Sequence, residues 1–326
     1  MAGRSTGAPS GGFTSVEMLK RFHSTEQIPY LEDRYANNPR REPIFPGPRN
    51  RQGYRGDEFD NRRDFNIAFL GCSWVEGHGL PRGEIFSDLI RDQLTLYAGC
   101  SVNCWNLGLS GAGMDYCARM TPSVLKALKP DLVVLLVSGA NRREFFGSNG
   151  QRMMGTSDNV GGARRDGLDS EYCEAMKTVA RCEHENAAYL LRQLRCIETL
   201  LAAAKTPWVY TWAGWWLAHK PMTILDEADM LPKDSLLQNP FAVLDTASET
   251  NLHPGRWSNQ VFADRILDWI FEHRLIPKKA GAFPGLEQWV YLKHKFRLLR
   301  RSMPDERKRR AAPQIKDVMD ETYPLW

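Results

Sequence analysis

Four residue types that together can carry out acyl transfer follow apolar runs of this chain. Ser73 stands in "GCS", Gly111 in "NLGLSGAG", Asn141 at the end of "SGAN" and His253 in "NLHPG". Cleavage of an ester by a hydroxyl needs a nucleophile, a base that takes its proton, and donors aimed at the developing oxyanion. A serine, a histidine, a glycine N–H and an asparagine amide are able to supply those parts.

Each of these residues also has an ordinary structural interpretation. Serine is favoured as a helix N-cap, glycine and asparagine are common in turns, and His253 could cap the last helix. His78, in "EGHG", could reach the same cleft, although a solvated loop position is the favoured interpretation. Cys72 could be a thiol nucleophile, but adjacent residues at a strand end point to opposite sides, so we expect Cys72 to pack and Ser73 to face the cleft.

The elements that would position these residues alternate between strands and helices. Short apolar runs predict five strands, at 66–70, 101–108, 131–137, 207–212 and 241–245, with amphipathic helical stretches between them. This alternation predicts an α/β fold, a three-layer α/β/α sandwich around a central, mostly parallel sheet of about five strands. Ligands bind such sheets beyond the carboxyl ends of the strands, which is where the four residues fall.

The ordered series "GCS", "NLGLSG", "SGAN" and "HPG" resembles the four sequence blocks of the SGNH (GDSL-like) hydrolases. These are serine esterases and lipases of flavodoxin-like fold, and the resemblance covers Asn66 to His273. It implies that Ser73 is the nucleophile and His253 the general base. It also implies an oxyanion hole formed by the N–H of Ser73, the N–H of Gly111 and the side chain of Asn141.

The chain departs from the family pattern at the position of the catalytic acid. The family has an aspartate three residues before the histidine, where this chain has Thr250. Asp245, Glu249 or a backbone carbonyl could orient the imidazole in its place. A Ser–His dyad remains chemically workable, although loss of the third member of such a triad can cost about 10⁴ in kcat. Cys72 likewise replaces the aspartate that usually precedes the nucleophile.

Three further residues are candidates for substrate binding. Trp212 and Trp215 fall at and after the end of the fourth predicted strand, where flat aromatic faces would suit a sugar or an acyl group. Arg142 could bind an anionic substrate. The alternatives are aromatic packing under a loop and, for Arg142 and its neighbour Arg143, a solvated or ion-paired arginine. We expect no cofactor and no metal, since the chain has neither a dinucleotide fingerprint nor a phosphate-loop lysine motif.

Composition separates a central body from two tails. The 326 residues are 42% hydrophobic and 25% charged, which is typical of a globular protein. Residues 1–63 are rich in Gly, Pro, Arg and Asn, which predicts an extended, mostly irregular arm. We expect residues 64–275 to form the hydrolase-like domain. Residues 276–326 are predicted to form a basic helical or irregular tail. Within that tail, residues 293–310 hold nine Lys and Arg against two acids.

Two functions are compatible with the sequence. The first is a serine ester hydrolase that removes an acyl group, acetyl for example, from a carbohydrate or another small ester. The second is a catalytically weak or inactive structural or binding subunit, anchored by its arms in a larger protein assembly such as a virus particle. The polar N-terminus and seven cysteines without a disulfide or zinc pattern predict a reducing, cytoplasmic setting, with a virion as the alternative. No membrane span and no specific nucleic-acid partner are expected.

Overall fold

A computed structural model describes residues 49–50, 53–59, 62–98, 101–146, 152–155, 174–175, 178–179, 181–214, 216–237, 240–248 and 251–276. In chain order its main elements are β1 (Phe65–Gly71), α1 (Ser73–Glu76), α2 (Phe86–Ala98), β2 (Val102–Gly108), α3 (Met114–Ala127), β3 (Leu132–Val137), β4 (Arg143–Phe146), β5 (Arg152–Gly155), α4 (Glu183–Ala203), β6 (Trp208–Trp212), α5 (Trp216–Glu227), β7 (Thr246–Ser248), β8 (Asn251–Pro254) and α6 (Arg256–Glu272). Most of the predicted arm and nearly all of the basic tail lie outside the described residues.

The central sheet is parallel and has the order β2-β1-β3-β6. The two strands that follow β1 in sequence therefore lie on either side of it, which is the doubly wound arrangement of flavodoxin-like sheets. The strands β4 and β5 form one separate antiparallel pair, and β7 and β8 form another. The predicted α/β fold is thus confirmed.

Among the described residues the sheet has four strands instead of about five. Phe241, the first residue of the predicted fifth strand, makes only an isolated parallel bridge with Ala213. The next residues do not continue the ladder, and Leu244 is 41% exposed. A strand in this position must be covered on both faces, and this segment is not.

Alternation along the strands divides the core into two apolar layers. In β3, Val133, Leu135 and Val137 face one layer, whereas Leu132, Val134 and Leu136 face the other. Helices α3, α4 and α5 supply the first layer, and helices α2 and α6 supply the second. Because side chains alternate across a strand, the uniform apolar run of β3 is buried on both faces, as its sequence predicts.

Part of the N-terminal arm packs against this body. We call residues 49–50 and 53–59 the strap; it contains neither helix nor strand. Tyr54 is 2% exposed and Arg55 is 1% exposed. The Tyr54 hydroxyl lies 3.2 Å from that of Tyr116 in α3. The strap therefore belongs to the folded core, and its contacts reach the loop that follows α1.

No helix in the described part of the chain is both long and apolar enough to cross a membrane.

Candidate active site

Ser73 lies where the first strand turns into a short helix. The strand β1 ends at Gly71, and Ser73 is the first residue of α1, so the helix does not use its backbone N–H. The helix α1 lies close to Gly108 at the end of β2, where a Cβ atom would collide with the backbone of Glu76. The missing side chain lets α1 lie against the carboxyl end of β2.

The structure brings His253 to Ser73. The Nε2 atom of His253 lies 2.9 Å from the Oγ atom of Ser73. The two residues are 180 positions apart in sequence, and β8 delivers the histidine to the carboxyl edge of the sheet. This distance is within hydrogen-bonding reach for transfer of the serine proton to the imidazole.

Asn251 orients the imidazole. Its Oδ1 atom lies 2.8 Å from Nδ1 of His253 and also accepts the backbone N–H of His253 at 3.2 Å. An acceptor at Nδ1 holds the proton there and leaves the Nε2 lone pair for Ser73. Asn251 thus sets the tautomer that a general base needs, but without a negative charge.

The predicted replacement acid Asp245 has a different role. Its Oδ2 accepts the N–H of Trp257 at 2.9 Å, and its Oδ1 accepts the N–H and the hydroxyl of Ser258 at 2.7 and 2.6 Å. These donors lie in the first turn of α6, where a carboxylate is stabilised by unpaired N–H groups and the helix dipole. The expectation that Asp245 orients His253 is therefore wrong. Glu249 and Thr250 lie outside the described residues.

His253 is electrostatically a weak base in this setting. Burial lowers its pKa to about 3, with further lowering by His78 and Arg142. Removal from water disfavours the charged imidazolium, and nearby positive charge disfavours it further. The imidazole is accordingly neutral at neutral pH and able to accept a proton.

The turn that carries Gly111 is held next to α1. Gly111 has a φ of +80°, and the N–H of Ala112 donates to the carbonyl of Leu109 at 3.0 Å, as in a turn with a left-handed third residue. Within this turn, Ser110 donates its N–H and its hydroxyl to Oε2 of Glu76 at 2.9 and 2.6 Å. Since Glu76 and Ser73 lie on the same short helix, Gly111 is anchored close to the serine.

Asn141 lies in the loop after β3 and is 2% exposed. This loop is joined to the Gly111 turn, because the Ser138 hydroxyl donates to the carbonyl of Ala112 at 2.9 Å. Arg142, the next residue, is 8% exposed and near enough to lower the pKa of His253. The loop therefore borders the same site.

His78 also belongs to the site, contrary to its interpretation as a solvated loop residue. Its ring is stacked on that of His253, with centroids 4.1 Å apart and planes 14° apart. Its Nδ1 atom lies 3.5 Å from the Oγ atom of Ser110. Burial lowers the pKa of His78, against an opposing effect of Glu76.

Cys72, in contrast, is 1% exposed and packs in the α2/α6 layer, as predicted.

The predicted substrate-facing role of Trp212 is not supported. Its indole is 9% exposed within the core layer under α3, α4 and α5, and its Nε1 donates to Nδ1 of His219 at 3.3 Å. As the last residue of β6, it continues the alternation of Trp208 and Tyr210 into the core. Trp215 lies outside the described residues. Arg143 is a packing residue, since its guanidinium lies 3.3 Å from the centroid of the Tyr189 ring.

Sequence reasoning missed Asn251 and Glu76, and it favoured a solvated position for His78. Asn251 could have been found, because residues two apart on a strand share a face, and β8 carries both Asn251 and His253. Nothing local marks His78 or Glu76, whose partners come from loops distant in sequence. Among the described residues, no group of three or more His, Cys, Asp or Glu side chains could hold a metal ion.

Comparison with known proteins gives structural likeness without sequence likeness. No protein-family model matches this chain, and no curated protein is detectably similar to it in sequence. Among solved structures, the esterase EstA from Pseudoalteromonas sp. is 14% identical, with a TM-score of 0.39 over 64% of this chain and 97% of that one.

A family 3 carbohydrate esterase from Clostridium thermocellum is 13% identical, with a TM-score of 0.38 over 65% of this chain and 99% of that one. An acetylxylan esterase from Geobacillus stearothermophilus is 14% identical, with a TM-score of 0.35 over 63% of this chain and 94% of that one. At these sequence identities and TM-scores, the structural likeness does not establish the activity of this chain.

Proposed function

We propose that this chain is a serine ester hydrolase with Ser73 as its nucleophile and His253 as its general base. The observation that carries the proposal is the 2.9 Å separation of Ser73 Oγ and His253 Nε2, together with the acceptor on Nδ1. A nucleophile, a base bonded to it and a third group that orients the base are the recurring arrangement of acyl-transfer sites.

In the acylation step, Ser73 Oγ attacks the ester carbonyl carbon while its proton passes to His253 Nε2. The carbonyl oxygen becomes an oxyanion, which the N–H groups of Ser73 and Gly111 and the Asn141 amide would stabilise. The tetrahedral intermediate then breaks the bond to the alcohol oxygen, and His253 returns the proton to that oxygen. The products are a free alcohol and an acyl group on Ser73.

In the deacylation step, water attacks the acyl carbon and gives a proton to His253 Nε2. The second tetrahedral intermediate breaks the bond to Ser73 Oγ, which recovers the proton from the imidazole. A carboxylic acid leaves and the free serine is restored. The same base thus serves both halves of the cycle, as microscopic reversibility requires.

Arg142 has opposite effects on the two charges of the transition state. Its positive charge lowers the pKa of His253, which weakens the base. The same charge would favour the oxyanion that forms beside Asn141, its neighbour in the chain. We propose that it also favours substrates with a negative group near the scissile ester.

For the substrate we propose a small ester such as an acetylated carbohydrate. The four blocks that the sequence shares with the SGNH hydrolases support an ester over an amide substrate. The neutral Asn251 in place of a carboxylate also favours an ester, because the alcohol leaves more readily than an amine.

The proposal is tested by hydrolysis of p-nitrophenyl acetate with wild-type protein, Ser73→Ala and His253→Ala. We expect both variants to lose about 10³-fold or more in kcat/KM. Ser123→Ala is the matched control, because Ser123 lies on α3, away from the site, and is expected to keep the wild-type rate.

A covalent probe gives an independent readout. An alkyl fluorophosphonate should modify Ser73 in the wild type, with the adduct located by mass spectrometry, and should not modify His253→Ala. Equal hydrolysis by wild type and Ser73→Ala, with no adduct at Ser73, would instead favour the structural-subunit interpretation.

A further inference from the structure

Resting on the proposed function, we infer that His78 is a positioning residue that supports the charged form of His253 in the absence of an aspartate. The inference starts from the stack of the two imidazoles, whose centroids are 4.1 Å apart with planes 14° from parallel. Asn251 accepts the Nδ1 proton but brings no charge, so the imidazolium formed in each half-reaction needs another source of stabilisation.

The face of a flat ring is one such source. A cation within about 6 Å of an aromatic centroid is attracted by the electron density of the ring face. The pKa of His78 is lowered by burial, so its ring is neutral when His253 takes the serine proton. A neutral His78 therefore offers its face to the imidazolium without opposing charge.

A chain of polar contacts holds His78 in this orientation. Its Nδ1 lies 3.5 Å from Ser110 Oγ, which donates its own proton to Glu76 Oε2 at 2.6 Å. The second carboxylate oxygen of Glu76 accepts from Arg49 of the strap at 3.0 Å. Because the Ser110 proton is directed to the carboxylate, the Ser110 oxygen is oriented to accept from His78.

The contacts around His253 make this ring the available partner. The Ser73 hydroxyl lies at Nε2 and Asn251 lies at Nδ1, so the edge of the imidazole is occupied. The charged and titratable groups that act on its pKa are His78 and Arg142, and both lower it through positive charge. Arg142 always carries that charge, whereas a neutral His78 does not oppose an imidazolium. His78 covers a face of the ring.

The test compares His78→Ala and His78→Phe in the hydrolysis of p-nitrophenyl acetate. We expect His78→Ala to lower kcat about tenfold with little change in KM, since the support acts in the transition state. His78→Phe keeps a flat ring over His253 and is expected to recover most of that loss. Ester hydrolysis by Ser73→Ala at the wild-type rate would refute the proposed function itself.

The pH profile separates this role from a merely structural one. If the ring face stabilises the imidazolium, removing it in His78→Ala should lower the pKa of His253. The acidic limb of kcat/KM should then move to lower pH, and His78→Phe should return it toward the wild-type position. The matched control is His273→Ala, which removes an imidazole stacked at 4.0 Å on Trp269, at the far end of α6. It should change neither kcat nor the limb.

Two results would overturn the inference while leaving Ser73 and His253 in place. One is a folded His78→Ala variant with wild-type kcat and an unmoved acidic limb. The other is a His78→Phe variant as impaired as His78→Ala, with both folded by circular dichroism, which would show that the stacked face contributes nothing. If His78→Ala fails to fold, His78→Phe alone decides the question. A folded His78→Phe variant with kcat and acidic limb close to wild type would support the inference, and one with an about tenfold lower kcat would overturn it.

Discussion

At the scale of single residues, the proposed nucleophile Ser73 and base His253 are joined by Asn251 as an unusual third member. Asn251 holds His253 in the productive tautomer, as its 2.8 Å contact with Nδ1 indicates. An amide cannot compensate the positive charge of the imidazolium as a carboxylate does. The low pKa of His253 is consistent with this, since the causes that lower it act without any opposing negative partner.

Replacing Asn251 by aspartate should strengthen the base. Asn251→Asp keeps the acceptor at Nδ1 and adds the missing negative charge, so the pKa of His253 should rise and kcat should increase about tenfold or more. Asn251→Ala removes the acceptor and should lower kcat by about 10- to 100-fold. Steady-state kinetics with p-nitrophenyl acetate check both. A lower kcat in Asn251→Asp than in wild type would contradict the assigned role.

The pH dependence of the wild type follows from the same residue. With a pKa of about 3, His253 stays unprotonated far below the range of an ordinary histidine. We therefore expect kcat/KM to remain nearly constant as the pH falls from 7 to 5, where a free imidazole would already be protonated. Initial rates over this range measure it. An acidic limb centred near the ordinary histidine value would refute the expectation.

At the scale of elements, the strap fixes the loop between α1 and α2 that carries His78. The guanidinium of Arg55 donates to the carbonyls of Gly77 and Leu80 at 2.7 and 2.5 Å. Glu76 holds the Gly111 turn while it is itself held by Arg49 of the strap. The strap thus holds both the loop that carries the stacked histidine and the turn that carries Gly111.

Removing the Arg55 side chain should weaken this element. Arg55→Ala leaves buried carbonyl groups without donors, so we expect a loss of about 3 kcal/mol in the free energy of unfolding, together with a lower kcat. Urea unfolding followed by tryptophan fluorescence measures the first quantity. Arg62→Ala is the control, since Arg62 also donates to two carbonyls but its side chain is 52% exposed. An equal loss in both variants would show that burial of Arg55 is not the cause.

At the scale of the whole molecule, the site couples function to stability. The pKa of His253 in the folded protein is below its value of about 6.5 in an unfolded chain. Between these values the unfolded state binds more protons at this residue, so stability falls as the pH falls. Above the unfolded pKa the effect disappears. A buried neutral base therefore carries a cost for the fold that appears only in acid.

The difference between wild type and His253→Gln isolates this cost. As the pH falls from 6 to 4, wild-type protein should lose stability relative to the variant by up to about 1.4 kcal/mol per pH unit. Urea unfolding of both proteins at pH 7, 6, 5 and 4 measures the difference, and other titrating groups cancel in it. A difference independent of pH would mean that His253 titrates alike in the folded and unfolded chains.

The sequence by itself determined the layered α/β fold and the edge at which Ser73, Gly111, Asn141 and His253 follow their strands. Apolar alternation is a local property with a fixed period, and parallel strands bring their carboxyl ends together whatever the loops do. Only the tertiary structure decided which side chains act on His253. Asn251 takes the place predicted for Asp245, and His78 lies on the imidazole face, because loop paths and helix ends, which have no period, set those contacts.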